Sequence, residues 1–459
     1  MLTRRYTFLL ITLATLLSAG AFAAAVPNDA DAVRHALNRL TYGPRPGDVE
    51  RVSRMGLGAW IDQQLRPSTI DDSALERQLP EPPAAVRTGS PKEMRRDARR
   101  AVEDLASTRL IRAASSERQL EELLVDFWFN HFNVFAGKGR TAIYLPEYER
   151  EAIRPQVLGR FRDLLEATAK SPAMLFYLDN WLSADPNATA RDRRPKGLRL
   201  PRTGSPAPPR TGSPVPVGGG LQASAKKKQR GLNENYAREL MELHTLGVDG
   251  GYTQHDIVEV ARAFTGWTID PRDQTFRFAR ALHDEGAKVV LGHTIKPGGG
   301  IEDGERVLDI LASHPSTARF IATKLARRFV SDTPPESLVA RAAARFKETD
   351  GNIAEVVRTI VTSPEFFAAA ARQAKVKTPL EFVVSAVRAT GGSVSETRPM
   401  LKALRDLGMP LYMCQPPTGY DDTAETWVSP GALVTRINVA QQLAGNRAEE
   451  IGSPAFQKK

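Results

Sequence analysis

Two stretches of the sequence carry polar side chains whose types and spacing could perform acid–base chemistry. The first, DFWFNHFNVF, belongs to a segment (117–135) that is apolar around nearly its whole circumference, so a buried helix is predicted. Its single polar stripe holds two acids and two amides, Glu122, Asp126, Asn130 and Asn133. Because buried polar groups need partners, this stripe must face polar groups of another element. His131 falls on an apolar side and is interpreted either as a core histidine bonded to a backbone carbonyl or as a ligand or general base in a pocket.

The second stretch, GLNENYARELMELHTLG, predicts a helix that ends at Gly247. Asn235, Arg238 and Glu239 lie on one side of it. A charged face exposed to solvent explains this pattern. Alternatively, these side chains pair with the stripe of the first helix and form an internal polar centre. His244 lies about 140° around the helix from Glu239, so these two side chains cannot bind one metal ion from the same helix.

Together the two stretches define a hypothetical catalytic pocket. Its candidate members are two asparagines, two histidines, an arginine and a glutamate: Asn130, His131, Asn235, Arg238, Glu239 and His244. These residue types suit hydrolase-like or lyase-like acid–base catalysis, with or without a metal ion. Whether the chain is an enzyme, and which cofactor it would use, stays open at this point.

Patterns for other chemistries are missing from the sequence. There is no glycine-rich phosphate loop, no GxSxG elbow and no cysteine framework for a metal. His255 and Glu259 have i, i+4 spacing, but no HExxH pattern completes them, and no metal site is predicted. Thr253 and Asp256 instead predict a capping box.

The elements that must position these residues are mainly helical. Serine or threonine followed by proline predicts helix starts at Ser171, Ser363 and Thr378. Strand patterns are confined to 275–280 and 287–291, which we predict to pair as one hairpin. The predicted fold class is therefore mainly α: a large multi-helix domain with one small β-hairpin near 275–291.

The start of the chain predicts export. MLTRRYTFLLITLATLLSAGAFAAA has a basic start, a short apolar core and a small-residue cleavage site, so residues 1–23 are predicted to be a signal peptide. The expected location is periplasmic or extracellular, by either the general or the twin-arginine route. Cys414 is the one cysteine, so no internal disulfide can form, and a buried unreactive thiol is expected.

The net charge of +10 comes from one segment. The chain has 63 Lys and Arg, of which eleven lie in 191–230, and 53 Asp and Glu, of which one lies there. The rest of the chain therefore has equal numbers of basic and acidic residues. Specific nucleic-acid binding is therefore not expected. A peripheral loop explains 191–230, and weak contact of this segment with an anionic polymer or membrane surface is the alternative. The surrounding 185–230 is rich in Pro, Gly and Ser and is predicted to be a disordered insert within one helical domain, 24–184 and 231–450. Residues 451–459 are predicted to be a disordered tail.

Several motifs together resemble a known family. They include HALNRLTYGPRPGDVERV, DFWFNHFNVF, GLNENYARELMELHTLGVDGGYTQHDIVEVARAFTGW, HPSTARFIATKLARRFVSD and PPTGYDDTAETWVSPGALVTRIN. The sequence closely resembles the bacterial domain of unknown function 1800 family (DUF1800) over nearly all of the predicted mature chain. This resemblance implies an exported helical protein without an established activity. Members are often encoded beside a second exported family that looks related to sulfatases and alkaline phosphatases.

These observations support two functions. The first is an exported helical scaffold or binding partner of such a neighbouring exported protein. The alternative is a hydrolase-like or lyase-like enzyme with an internal polar pocket around His131 and Glu239, in which a metal ion could take part.

Overall fold

The computed structural model describes residues 26–80, 90–188, 231–391, 394, 396–444 and 447–459. The predicted signal peptide at 1–23 and residues 189–230 of the predicted insert lie outside these ranges. The chain on either side of 189–230 lies close together, since the Ala184 amide donates to the Gly231 carbonyl at 3.0 Å and Ser183 forms a parallel bridge with Gly231. Residues 189–230 are therefore inserted between two neighbouring points of the helical domain.

The described residues form a mainly α fold, which confirms the predicted class. Before the insert the helices are α1 Ala30–Leu40, α2 Asp48–Met55, α3 Leu57–Gln64, α4 Ser73–Glu76, α5 Pro91–Ser115, α6 Gln119–His131, α7 Thr141–Glu147, α8 Phe161–Lys170 and α9 Pro172–Tyr177. After it they are α10 Glu234–Glu242, α11 Gln254–Ala263, α12 Ile301–Ser313, α13 Pro315–Phe329, α14 Glu336–Glu348, α15 Ile353–Val361, α16 Pro364–Phe367, α17 Pro379–Thr390, α18 Arg398–Asp406, α19 Ala424–Trp427, α20 Pro430–Ala444 and α21 Ala448–Gly452.

The helix starts follow the capping signals of the sequence. Thr253 and Asp256 form a reciprocal capping box at the start of α11, and Thr378 and Glu381 do the same for α17. Ser171 accepts a backbone hydrogen bond at the start of α9, ahead of a proline at the first helical position. These predictions are confirmed. They could be made from sequence because the capping side chain and the backbone amide that it binds lie within four residues of each other.

The β structure differs from the predicted hairpin. Strands form at both predicted places, but they do not pair with each other: β2 (Phe276–Phe278) pairs with β1 (Trp267–Ile269), and β3 (Lys288–Val290) pairs with β4 (His293–Ile295). A 3₁₀ turn at Arg280–Leu282 separates β2 from β3. Leu291 and Gly292 both have positive φ, which suits the two-residue turn of the second hairpin.

The C-terminal residues 451–459, predicted to be disordered, are packed onto α17. Ile451 is buried, and the Lys459 amide donates to the Lys375 carbonyl at 2.9 Å. The Lys459 side chain also contacts Glu381. This segment is ordered because Ile451 joins the apolar core and Lys459 pairs with Glu381. Neither contact can be read from the composition of the segment.

One hydrophobic cluster contains residues from both sides of the insert, from Ala32 to Ile451. The helix α6 lies within it, with Leu120, Leu124 and Trp128 fully buried, which confirms the prediction of a buried helix. It ends at His131, four residues before the predicted boundary. Among the described residues, no helix has both the length and the apolar character needed to cross a membrane.

Candidate functional site

A cavity of about 370 Å³ opens where α6, α13 and the loop before α19 meet. This volume is within the usual range for small-molecule sites. The side chains that line it are mostly polar or charged: Asp126, Phe127, Asn130, His131, Lys324, Arg327, Arg328, Thr378, Met409, Thr418, Tyr420, Asp421 and Asp422, with Gly419 between them.

The helix α13 brings three basic side chains to the cavity. His314 caps this helix by accepting from the Ser316 amide at 3.1 Å, and Pro315 occupies the first helical position. Lys324, Arg327 and Arg328 are spaced i, i+3 and i+4, so they share one side of the helix. The buried apolar residues of α13 hold that side against the cavity.

The two asparagines of the predicted stripe position the opposite wall. Asn130 donates to the Tyr420 carbonyl at 2.6 Å and accepts from the Tyr420 amide at 2.7 Å, as a neighbouring strand would. Asn133, beyond the end of α6, donates to the carbonyls of Cys414 at 3.0 Å and Pro416 at 2.7 Å. The motif FNHFN therefore holds the loop 414–420 through its backbone.

Gly419 allows this loop to approach α6. Its φ is +75°, and a Cβ at this position would lie 2.2 Å from the Asn130 carbonyl oxygen. No other residue fits without displacing the loop or the end of the helix.

His131 and Lys324 form the chemical centre of the cavity. The His131 Nε2 lies 3.0 Å from the His244 carbonyl, which can only accept, so Nε2 carries the proton. The Nδ1 atom is then an acceptor, and the Lys324 Nζ lies 2.9 Å from it. Among the described residues, Lys324 forms no ion pair with a carboxylate. The two side chains can hold at most one positive charge between them, because two cations cannot share this hydrogen bond.

Burial displaces the proton equilibria of this pair. It lowers the pKa of His131 well below its usual range, and the charge on Lys324 acts in the same direction. It also lowers the pKa of Lys324 to about 8, with Asp422 opposing this shift and Arg327 adding to it. The side chain as a whole is half-buried. A large fraction of the Lys324 amine is therefore uncharged near pH 8.

Arg328 forms the floor of the cavity. Its guanidinium lies 2.9 Å from Glu381, 3.5 Å from Asp422 and 3.9 Å from Asp126. Burial opposes the charge on Arg328, but these carboxylates outweigh it and raise its pKa. Beneath it, Asp126 also pairs with Arg109 at 2.8 Å. The floor is a fixed set of charges that no ligand needs to neutralise.

A further charged group in the cavity, Arg327, is less engaged. It donates from Nε to the Asp332 carbonyl at 3.1 Å and, among the described residues, pairs with no carboxylate. The Asp422 Oδ1 accepts no hydrogen bond in the described ranges, but it lies 3.5 Å from both the Arg328 guanidinium and the Lys375 amine, which balance its charge. The Arg327 guanidinium is thus available to bind a ligand.

The sequence-predicted pocket is only partly brought together. Asn130 and His131 line the cavity, and His244 contributes its carbonyl while its ring, 6.3 Å from that of His131, is kept neutral by burial, which lowers its pKa to about 3. Asn235 is exposed, and Arg238 bonds to Glu242 and Gln254. The partners of the α6 stripe therefore do not come from α10 but from α5, the 148–154 turn and the loop 414–420.

Glu239 is half-buried outside the cavity lining, and burial followed by the neighbouring Glu242 raises its pKa. The requirement that the stripe meet polar groups elsewhere is confirmed. The catalytic role of the six candidates stays a hypothesis.

The basic residues of α13 were missed from the sequence, although a signal was present. Arg328 falls at i+7 from Ile321 and i+3 from Leu325, within an apolar stripe, and a charge at such a position must be buried with partners. The loop residues Tyr420, Asp421 and Asp422 carry no comparable signal in the sequence, because nothing local shows that Asn130 holds them.

In the described part of the chain, no group of three or more His, Cys, Asp or Glu side chains is placed to hold a metal ion. His255 and Glu259 do not act as a pair, since Glu259 binds Arg262 and the Val289 amide. Cys414 is buried, as predicted, and burial raises its thiol pKa to about 11.

The comparisons with known proteins agree with the resemblance seen in the sequence. A family model described as "Protein of unknown function (DUF1800)" matches residues 35–458. No curated protein and no solved structure matches the chain.

Proposed function

We propose that this chain, which belongs to the DUF1800 family, is a lyase-like enzyme in which Lys324 is the nucleophile and His131 its proton acceptor. One observation carries this proposal: the Lys324 amine faces a cavity, donates to a histidine nitrogen that can only accept, and lacks a carboxylate partner among the described residues. An amine that is about half uncharged near pH 8 is an effective nucleophile towards carbonyl carbon.

The proposed substrate is a small aldehyde or ketone that carries an anionic group. Arg327, which pairs with no described carboxylate, would bind the anion, and the cavity of about 370 Å³ would hold a molecule of metabolite size. The Lys324 nitrogen attacks the carbonyl carbon, the carbonyl oxygen takes a proton from solvent and becomes a hydroxyl group, and His131 Nδ1 takes the proton that nitrogen loses. Return of this proton to the hydroxyl group releases water and leaves a protonated imine. The electrons of an adjacent bond pass to this imine as that bond breaks, which gives an enamine.

A hydrolase would use the same histidine differently. His131 would have to accept a proton from water at Nδ1, but the Lys324 amine occupies this position at 2.9 Å. This arrangement favours lysine over water as the group that His131 activates.

The test is reductive trapping. The protein is incubated with glyoxylate or pyruvate and cyanoborohydride near pH 8, and the modified lysines are identified by peptide mass spectrometry. We expect the Lys324 peptide to be modified at least about tenfold faster than any surface lysine, because its pKa is lower. Lys324→Met should remove this adduct, and His131→Phe should slow its formation.

Lys288 is the matched internal control, because it is fully buried and paired with Asp303 at 2.7 Å. It should remain unmodified in the folded protein. Equal labelling of all lysines, or a fast adduct that persists in the Lys324→Met variant, would remove the basis for the nucleophile.

Export and a role as scaffold or partner of another exported protein stay predictions, as does contact of 191–230 with an anionic surface. In the described residues, a protein contact is supported by exposed large apolar side chains on and beside α20: Val428, Leu433, Val434 and Ile437.

A further inference from the structure

A second cavity, of about 610 Å³, lies between α5, α18 and residues 410–413. We call it the α5–α18 groove. It shares no lining residue with the His131–Lys324 cavity, so an inference about it stands apart from the proposed reaction. Its walls combine an apolar floor with a basic rim.

The floor of the α5–α18 groove is a row of small apolar side chains. Ala98, Val102 and Ala106 repeat at i, i+4 and i+8 along α5, and Leu401 faces them from α18. Met413 completes the floor with 45% of its surface exposed, which is high for a large apolar side chain inside a concave site. The floor is therefore apolar, and Met413 is the part of it that the described residues leave most exposed.

The rim carries three exposed arginines, Arg95, Arg99 and Arg405. None of them pairs with a carboxylate in the described ranges. The next arginines of α5, about 100° further around the helix, do pair, Arg96 with Asp97 at 2.9 Å and Arg100 with Asp104 at 3.9 Å. With Glu103 as the one acid of the lining, the rim has an excess of positive charge.

The wall opposite α5 is partly bare backbone. Gly137 and Gly139 lie in it, and a Cβ at Gly137 would be 2.3 Å from the Phe135 ring. Gly139 has a φ of +56°, which favours glycine. A side chain at Gly137 would meet Phe135 and one at Gly139 would meet Phe176, so both positions favour glycine and the groove is lined there by backbone.

We propose that the α5–α18 groove binds a single-chain amphiphile with an anionic head group, of the class of a medium-chain fatty carboxylate. The acyl chain would lie along Ala98, Val102 and Ala106, and the head group would contact the arginines of the rim. From Arg95 to Ala106 the helix is about 16 Å long, the length of a medium acyl chain. The floor row has no hydrogen-bonding side chain, so it suits an acyl chain and not the polar backbone of a peptide.

The test is isothermal titration with decanoate below its micelle concentration, with decanol and decyltrimethylammonium as neutral and cationic analogues. We expect decanoate to bind and both analogues to bind at least about tenfold more weakly, because charge-assisted hydrogen bonds are lost. Arg95→Gln/Arg99→Gln should weaken decanoate binding by about tenfold or more. The matched control Arg96→Gln/Arg100→Gln removes the same charge from the same helix and should change binding by less than about twofold.

Several results would overturn the assignment. They are equal binding of the three amphiphiles, binding that begins only at the micelle concentration, and equal losses in the two arginine pairs. Binding of an acidic amphipathic peptide without binding of decanoate would assign the groove to a protein partner instead. A Val102→Asp variant that melts at the wild-type temperature should also lose binding, and unchanged binding in it would exclude the floor.

Discussion

Two lysine–histidine pairs in the described part of the chain differ in one group. In the pair formed by Lys288 and His283, the carboxylate of Asp303 lies between the two side chains, 2.7 Å from Nζ and 3.1 Å from Nε2. The lysine also donates to the carbonyls of Asp284 and Gly286, so each of its three protons has an acceptor. In the pair formed by Lys324 and His131, no described carboxylate takes this place.

This difference separates a structural cluster from a candidate site. A buried charge with a complete set of partners stabilises one arrangement and leaves nothing for a ligand to satisfy. A desolvated amine with one neutral partner is destabilised as a cation and is therefore reactive. The same two residue types serve both purposes, and the counter-charge decides which.

The largest expected effect comes from removing the counter-charge of the structural pair. Asp303→Ala leaves Lys288 buried without its carboxylate, which we expect to lower the free energy of unfolding by about 3–5 kcal/mol. Asp309→Ala is the control on the same helix: the Asp309 side chain, which pairs with Arg162, is nearly half exposed, so the loss should be below about 1 kcal/mol. Urea unfolding of both variants measures the contrast, and equal losses would contradict it.

The second effect concerns the loop 414–420, which contributes to the Lys324 cavity and has no counterpart at Lys288. Gly419→Ala introduces a clash with Asn130, whereas Gly408→Ala shares a positive φ but has no neighbour within 4 Å. We expect the first variant to be less stable than the second by about 1–3 kcal/mol, and to lose the trapped adduct. Equal stabilities, with the adduct retained, would show that the loop adapts and does not define the cavity.

The third effect is a pH dependence that distinguishes the unpaired lysine. Lys324 faces His131 and Asp126 of α6, Arg327 and Arg328 of its own helix, and Asp422 of the loop. Its folded pKa is about 8, whereas an unfolded lysine has a pKa of about 10.4. Between these values the unfolded state binds more protons, so wild-type stability rises with pH.

Lys324→Met lacks this term. A shift from about 10.4 to about 8 corresponds to roughly 3 kcal/mol, and solvent screening at a half-buried side chain reduces it. We therefore expect the variant to equal or exceed wild-type stability by up to about 1 kcal/mol at pH 7, because methionine carries no desolvated charge. Its advantage is complete below pH 8 and disappears by about pH 10. Unfolding curves at pH 7, 8, 9 and 10 measure the difference, and a constant difference would mean that Lys324 is not a strained cation.

The smallest effect is expected at Glu239, the acid that the sequence paired with His131. Glu239→Gln should change stability by less than about 0.5 kcal/mol and adduct formation by less than about twofold, because Glu239 does not line the cavity. Peptide mass spectrometry of the trapped variant measures this. Loss of the Lys324 adduct in Glu239→Gln would support the pocket predicted from sequence, in which Glu239 acts with His131.

Part of the site was accessible from sequence. The apolar circumference of α6 showed that the helix is buried, and its stripe showed that Asn130 and Asn133 need partners. The caps at Thr253 and Thr378 were equally clear. The partners of the asparagines could not be predicted, because a polar stripe shows that partners are needed but not which residues they are.

The sequence by itself determined the helical class, the helix starts and the burial of the FNHFN motif, since each depends on contacts within a few residues. Only the tertiary structure decided that Asn130 holds Tyr420, 290 residues away, and that Lys324 meets His131 across 193 residues. It also decided that a carboxylate accompanies Lys288, while none of the described carboxylates pairs with Lys324. Such pairings follow from how whole helices pack, and no local pattern records which distant side chain will fill, or leave empty, the space beside a buried charge.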